Sequence, residues 1–510
     1  MDLEPSSDPT GSGATTSFQW SALGITLLHV TLGLVLFEPT LFPGGDNAGY
    51  LILGDALRNG DGYRDLYAPG TPFHAKYPPV LPLLLAAFGS VQISKFAMLV
   101  CTSLTVWVTA HLGRRIVGDG PALLTALFLA MNPTLLEYGH YILSEAPFIL
   151  LVVLALWAME SQFRGAPVLA MLAASGAFAT RTAGLTILLA LPIVWLFRND
   201  FRRAVVGGIA ALVALLSWGF YQNRVAPGQP SYLEELVLRD PYNPEAGSVG
   251  VGELVVRTAN NLWDYVSRVV PQTVTGVEGS GTGLTILFSF ALCGFALRGW
   301  AVRSRRSMGP LEVFVLLYGG LIAIWPEVWT DRRFLLPLLP MIFLLAAWSL
   351  GKIDVKVRRW AFVLTTVLIS FPCIVWIAER APSRIECAVA FMADDPCDPP
   401  AYASLYEAAR WARDNTPPSA VIANRKPRLF FWYSQRRGDV YPYSTDPDIV
   451  LEELDRMGAN YVVIDQVSGT TGRYLIPAIQ ANQSRFEPVY QGGTPPTLIL
   501  RILPSLETAQ

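Results

Sequence analysis

The chain has 510 residues, 52% of them hydrophobic and only 15% charged, with a formal net charge of −2. A soluble chain of this length carries a larger charged fraction, so the composition is that of a polytopic membrane protein. The balanced charge leaves no electrostatic footprint for nucleic acid.

Residues 1–19 contain no Lys or Arg, carry Asp2, Glu4 and Asp8, and are rich in Ser, Thr and Gly. They read as a disordered tail and lack the positive region of a secretory signal. Eleven apolar stretches follow, at 20–41, 95–112, 121–138, 145–160, 167–181, 183–197, 204–222, 283–299, 311–328, 334–350 and 360–378. A crossing takes about 20 residues, so the shorter ones need tilt or flanking residues. Alternate connections carry Arg114-Arg115, Arg164, Arg198/Arg202/Arg203, Arg298/Arg303/Arg305/Arg306 and Lys352/Lys356/Arg358/Arg359. Excess Lys and Arg mark the cytoplasmic side, which puts the N-terminus inside and residues 381–510 outside. This requires Tyr77–Gln92, opened by Pro78-Pro79 and about 15 residues long, to lie at the interface or re-enter rather than cross.

Two long outer connections result, 42–94 and 223–282, the second with a helix near Val251–Val269. Beyond residue 394, helices at Tyr402–Asn415, Arg428–Ser434, Pro447–Met457 and Tyr474–Asn482 alternate with short runs at Ala420–Ala423, Tyr461–Ile464, Phe486–Tyr490 and Thr497–Ile502. The pattern predicts a small extracytoplasmic α/β domain within 381–510, with no catalytic motif of its own. Cys387 and Cys397 lie just outside the last crossing, in an oxidising compartment on this topology. They are read as a disulfide clamping the linker, with two free thiols as the alternative.

Asp46, in Gly44-Gly45-Asp46-Asn47, follows the first crossing closely and so sits at the membrane–water boundary. The glycines permit tight turns and close approach of a ligand. A carboxylate there is suited to general-base work on a hydroxyl or amine. The same residue is a favoured N-cap for a helix Asn47–Leu57. Lys76, in Lys76-Tyr77-Pro78-Pro79, is placed either to pair with a phosphate or a carboxylate or to anchor the chain at the interface. Ser144-Glu145 opens the fourth crossing after Asn132-Pro133 and the polar run Glu137, Tyr138, His140, Tyr141. An ionisable residue at the edge of a crossing is a functional candidate. The alternative is that Ser144 caps a helix whose first turn favours an acid. His140 by itself suits packing better than metal ligation.

Arg181 and Arg332-Arg333 place positive charge on the outer side, against the trend. A guanidinium binds phosphate through a planar fork of donors, so these three form a candidate phosphate site. Pairing with Asp331, Glu327 or another acid is the alternative. No phosphate-binding Gly-rich loop, no Cys/His metal spacing and no Gly-x-Ser-x-Gly elbow occurs. An ATP-driven pump is disfavoured and no cofactor is indicated, with a divalent metal left open.

Taken in order, these features resemble the GT-C integral-membrane glycosyltransferases, in the branch of the bacterial protein O-mannosyltransferases and lipid A aminoarabinose transferases. The resemblance covers roughly residues 20–380. It rests on Asp46 in the first outer loop, Lys76-Tyr77-Pro78-Pro79, Asn132-Pro133 with Ser144-Glu145, and Arg332-Arg333 leading into Leu335–Pro340. It implies a mainly α, GT-C-like bundle that takes a sugar from a polyprenyl-phosphate carrier on the outer face of a bacterial inner membrane. Asp46 is then the catalytic carboxylate and Glu145 a second acid. Lys76, Tyr77, His140, Arg181, Arg332 and Arg333 surround the substrate and its phosphate. Membrane lipids and a glycan, lipid or protein acceptor are the implied partners. Two departures stand out. Asn47 replaces the second acid of the mannosyltransferase pair, and Tyr77 separates Lys76 from Pro78-Pro79. The alternative readings are a transporter or flippase for an anionic lipid-linked substrate and a non-catalytic scaffold. No internal repeat is visible, which tells against the transporter.

Overall fold

The computed structural model describes residues 11–227, 232–241, 247–277, 283–393 and 397–504. Among the described residues, six helices are long and apolar enough to cross a membrane: Thr16–Val35, Val91–Val117, Phe201–Val225, Gly283–Arg306, Arg332–Leu350 and Phe362–Met392. Five shorter apolar helices accompany them: Asp119–Ala130, Glu145–Met159, Ala166–Thr180, Thr182–Phe197 and Pro310–Ile324. Each predicted crossing has a helix at its place, and the chain is a multi-pass membrane protein.

Several boundaries differ from those read in the sequence. Of the expected disordered tail, residues 1–10 lie outside the described residues, and 11–19 are helical. The first crossing stops at Val35 instead of residue 41. The carbonyls of Glu38 and Thr40, just beyond it, accept from the buried Lys95 ammonium. The third crossing breaks after Ala130. Pro133 offers no N–H to an incoming helix, and the Asn132 side chain accepts from Leu135 N at 2.9 Å to start a separate turn, Pro133–Tyr138. The ambiguous stretch after Tyr77 holds a nine-residue helix, Val80–Phe88, ended by Gly89 at φ 66°. Nine residues rise only about 14 Å, half a bilayer core. The last helix, Val355–Met392, runs on through the segment expected to be a linker. It carries Cys387, which is joined to Cys397 in a disulfide.

Helices associate in lipid by close packing of small residues rather than by water exclusion. Gly299 of Gly283–Arg306 shows this: a Cβ there would lie 2.3 Å from the carbonyl oxygen of Leu345. One end of the bundle gathers basic residues onto backbone and acids. Arg115 donates to Glu160 O at 2.9 Å, Arg198 to Met159 O at 3.2 Å and Arg298 to Ser349 O at 3.1 Å. The opposite end carries the first loop.

Above that end lies a four-stranded sheet. Its strands are β1 (Ile422–Ala423), β2 (Tyr461–Ile464), β3 (Phe486–Gly492) and β4 (Thr497–Ile502), in the order β1-β2-β4-β3. β1 and β2 are parallel, and the other pairs are antiparallel. Successive strand residues point to opposite faces. Tyr461, Val463 and Ile499 therefore join an apolar cluster continuous with the bundle, while Val462 and Leu500 pack with Val450, Leu454 and Ala478 on the other side. Helix Pro427–Ser434 sits between sheet and bundle and packs on the first-loop helix Gly45–Asn59.

Replacing Gly299 by Val forces the helices Gly283–Arg306 and Leu339–Leu350 apart. Overpacking of this kind costs about 1–3 kcal/mol. The variant is expected to unfold at a lower temperature in detergent, and an unchanged midpoint would show that the two backbones do not touch.

Candidate active site

The helix Gly45–Asn59 has Gly44 as its N-cap, and Asp46 lies inside its first turn. The capping role read for Asp46 is therefore wrong, although the helix dipole still favours an acid there. A Cβ on Gly44 would lie 2.6 Å from the Phe42 ring, so a side chain there has to displace that ring. The Asp46 carboxylate is free to leave its own helix for three partners. Tyr77 Oη donates to Oδ1 at 2.7 Å, Arg428 Nη1 lies 3.3 Å from Oδ1, and Arg333 Nη1 lies 3.3 Å from Oδ2. Burial by itself would raise this carboxyl. The two guanidiniums and the Tyr77 hydroxyl outweigh it and hold the group below its ordinary value.

Ser144 does not cap its helix either. Its hydroxyl accepts from Tyr50 Oη at 3.1 Å and Arg181 Nη1 at 3.0 Å. Glu145 beside it is 0% exposed. Its Oε1 accepts from Arg181 Nη1 and, at 2.8 Å, from Arg333 Nε. The result is a chain of alternating charge, Arg181–Glu145–Arg333–Asp46–Arg428, that begins and ends on arginine.

Other residues fix its members. Arg181 sits at the extended C-cap of Ala166–Thr180. Asp331 caps the turn Arg332–Leu335 by accepting from Arg333 N at 2.8 Å. Tyr77 stacks on Tyr50, with ring centroids 4.6 Å apart. Its N–H donates to His74 Nε2 at 2.8 Å, while His74 Nδ1 lies 3.0 Å from the Asp65 carboxylate. A neutral His74 protonated on Nδ1 satisfies both contacts. Burial pushes the Tyr77 phenol well above its ordinary value, so it remains a donor. Asn47 turns inward, where its Oδ1 accepts from Ile142 N at 2.8 Å. The residue that departs from the acidic-pair pattern is thus a packing contact.

A cavity of about 490 Å³ opens beside this chain, within the size range of small-molecule sites. Asp46, Lys76, Tyr77, Arg181 and Arg333 line it, as do Tyr50, Ser144, Tyr232, Tyr318, Trp325, Trp329, Asp331 and Arg428. Lys76 Nζ pairs with Glu235 at 3.1 Å. Glu145 lies behind the wall and reaches the cavity through its two arginines. Two residues expected at the substrate do not line it. Arg332 turns to Glu137 at 2.9 Å. His140 packs edge-on against Phe37, in a separate crevice with Glu38 and Arg384. The alternative of pairing with acids holds for all three arginines, through Glu145, Asp46 and Glu137, while Glu327 accepts from Asn260 at 3.0 Å.

The sequence reading missed Arg428. It stands in the first turn of Pro427–Ser434, ahead of Leu429-Phe430-Phe431-Trp432-Tyr433, and nothing local marks it as more than a surface arginine. The cavity aromatics were equally hidden, because Tyr and Trp near crossings read as interfacial belts.

The arrangement of helices is that of the GT-C membrane glycosyltransferases. The chain is similar to ArnT from Cupriavidus metallidurans in the apo state, with a TM-score of 0.57 and 14% identity over 96% of this chain and 98% of that one. For the same protein bound to undecaprenyl phosphate the values are 0.55 and 13%, over 97% and 99%. The oligosaccharyltransferase AglB from Archaeoglobus fulgidus, in complex with an inhibitory peptide and a dolichol-phosphate, gives 0.56 and 14% over 87% of this chain and 69% of that one. No family model matches the chain, and the search of curated proteins finds no match. At these identities the likeness is one of fold.

The archaeal enzyme has also been solved in complex with Zn and sulfate. Among the described residues here, no group of three or more His, Cys, Asp or Glu could hold a metal. Asp46 and Glu145 face guanidiniums and Asp331 is engaged in its cap, so this donor set does not fit a divalent cation.

Arg333→Gln leaves Asp46 and Glu145 with one cation each. Stripping one partner from a buried ion pair costs about 3–5 kcal/mol, which should appear as a lower unfolding temperature in detergent at pH 7. The folded-state value of Asp46 is depressed, so its contribution is present above the unfolded carboxylate value of about 3.9 and is lost as pH falls through the folded value. Acidification should therefore narrow the gap between wild type and variant. Equal midpoints at pH 7 would refute the network.

Proposed function

We propose that the protein transfers a sugar from a polyprenyl-phosphate donor to an acceptor hydroxyl or amine at the outer face of a bacterial cytoplasmic membrane, with Asp46 as general base. The observation that carries this reading is one cavity, at the end of an apolar bundle, where an ionised carboxylate lies among three guanidiniums. The reaction needs a base and a phosphate site, and a carboxylate beside several guanidiniums supports both roles. The complexes of ArnT with undecaprenyl phosphate and of AglB with dolichol-phosphate support a donor of this class.

In the proposed step the acceptor oxygen or nitrogen forms a bond to the anomeric carbon. Its proton passes to Asp46, and the bond from the anomeric carbon to the phosphate oxygen breaks. The electron pair stays on that oxygen, so the phosphate goes from one negative charge to two. Arg181 and Arg333 neutralise the developing charge through charge-assisted hydrogen bonds. Trp325 and Trp329 offer flat apolar faces to a sugar ring. Glu145 touches no substrate; it is a positioning residue that holds the two arginines. The prenyl chain lies along the apolar flank of the bundle, among membrane lipids. No step is routed through a metal.

Purified protein given a labelled polyprenyl-phosphate sugar tests the reading. Asp46→Asn should lower kcat by about 10²–10⁴, the usual contribution of a general base, and still bind the carrier. Full transfer by this variant would remove Asp46 as the base. Acceptor-independent movement of carrier lipid across liposomes, without transfer, would favour a flippase instead. Orientation has its own test. With the basic clusters in the cytoplasm, an alkaline phosphatase fused after residue 504 should be active, and an inactive fusion of normal abundance would invert the topology.

A further inference from the structure

Among the described residues that line the cavity, Arg428 alone comes from the C-terminal α/β segment. Its Nη1 donates to Tyr77 Oη at 2.8 Å and lies 3.3 Å from Asp46 Oδ1. Its guanidinium also sits over the rings of Tyr67 and Tyr77, at 5.3 and 5.5 Å. The first-loop helix leaves room for it at Gly49, where a Cβ would come within 3.0 Å of Arg428 Cδ. The two arginines on Asp46 are not equivalent. Arg333 is held from its other side by Glu145. Among the described residues, Arg428 has Asp46 as its one carboxylate partner within 4.0 Å.

We propose that Arg428 is a donor-phosphate ligand supplied by the C-terminal segment, and that it exchanges partners: it holds Asp46 until the phosphate of the lipid carrier takes its guanidinium, which frees Asp46 to receive the acceptor's proton. The identity of the phosphate rests on the transferase reading above. The exchange itself rests on geometry. A phosphate presents more charge and more acceptor oxygens to a planar fork than a carboxylate does. Arg428 can turn to it without stripping a second buried acid. Asp46 then keeps Arg333 and Tyr77 but loses one cation, which raises its affinity for a proton and makes it a better base. The other groups facing Asp46 are the Tyr50 and Tyr232 phenols. The remaining charged groups of the cavity wall are Lys76, paired with Glu235, Asp331 in its cap, and Arg181 on Glu145.

The test is carrier binding by the full chain in detergent, followed through tryptophan fluorescence, with undecaprenyl phosphate, undecaprenol and inorganic phosphate as probes. Arg428→Gln should bind undecaprenyl phosphate about 10-fold more weakly or worse, the loss of one charge-assisted bond, and bind undecaprenol as wild type does. Arg428→Lys keeps the charge without the fork and should fall between. Wild-type affinity for undecaprenyl phosphate in whichever variant shows a cooperative melt overturns the proposal. So does an equal loss for undecaprenol. Competition by inorganic phosphate at the same concentration as the carrier would make the ligand a free phosphate and overturn the carrier assignment.

The pH profile separates ligand from scaffold. The acid limb of kcat/KM reports the free enzyme, and that of kcat the donor complex. Arg428→Gln should move the first limb to higher pH and leave the second in place. Lower kcat with both limbs unmoved would make Arg428 merely structural. Binding needs no turnover, so Arg428-dependent carrier binding without sugar transfer would sink the transferase reading and spare this one. Transfer with unchanged donor KM in Arg428→Gln would do the reverse.

Discussion

A carboxylate with no solvent exposure, at the edge of an apolar bundle, is destabilising by several kcal/mol unless cations lie against it, and Glu145 is such a group. Its two partners come from different helix ends, Arg181 from the end of Ala166–Thr180 and Arg333 from the turn that leads into Leu339–Leu350. One buried oxygen, Oε1, therefore pins three helix termini at a single point. Arg333 bridges Glu145 through Nε and Asp46 through Nη1, so the first loop is placed by the same constraint. Its neighbour Arg332 performs a parallel service for Glu137 and takes no part in the cavity.

The other fixed points are neutral or lie in loops. Asp65 orients His74, His74 takes the Tyr77 N–H, and Tyr77 donates to Asp46. This relay decides where the hydroxyl points without adding charge beside Asp46. The C-terminal segment then closes over the loop. Leu429 and Phe430 belong to the same apolar cluster as the bundle, and Gly438 N donates to Tyr67 O at 2.8 Å. With its sheet packed on both faces and one helix against Gly45–Asn59, the segment is part of the site's wall and not a separate appendage.

How much of this was legible in the sequence follows from the kind of force involved. Crossings were legible because in lipid every backbone group must be satisfied within the segment, which makes a long apolar run a helix. Their ends were less so, because tertiary contacts decide them. The bond from buried Lys95 to the carbonyls of Glu38 and Thr40 accompanies a first helix that stops early, and the Asn132 cap divides the third. Asp46 stood out because it follows the first crossing closely, and Arg181 and Arg333 because they place positive charge on the outer side, against the trend. Arg332 and Arg333 could not be separated, since a rotation of one residue along a turn sends one to Glu137 and the other to Asp46. Arg428 is 382 residues from Asp46 and belongs to no motif. Only the packing of a soluble helix on the first loop brings it there.

The alternating chain has a consequence for any anionic substrate. Three guanidiniums face two carboxylates, so the interlinked groups hold one positive charge in excess. A phosphodiester, with a single negative charge, makes that set neutral. In the proposed reaction the proton that neutralises Asp46 and the charge that appears on the departing phosphate arise together, so the set is neutral before and after. Such a step separates no net charge, which a low dielectric would penalise most. Removing one arginine would leave a bound donor facing an uncompensated acid, and removing one acid would leave a cation that grips the doubly charged product. The balance requires the fifth member of the chain, and that member is carried by the C-terminal segment.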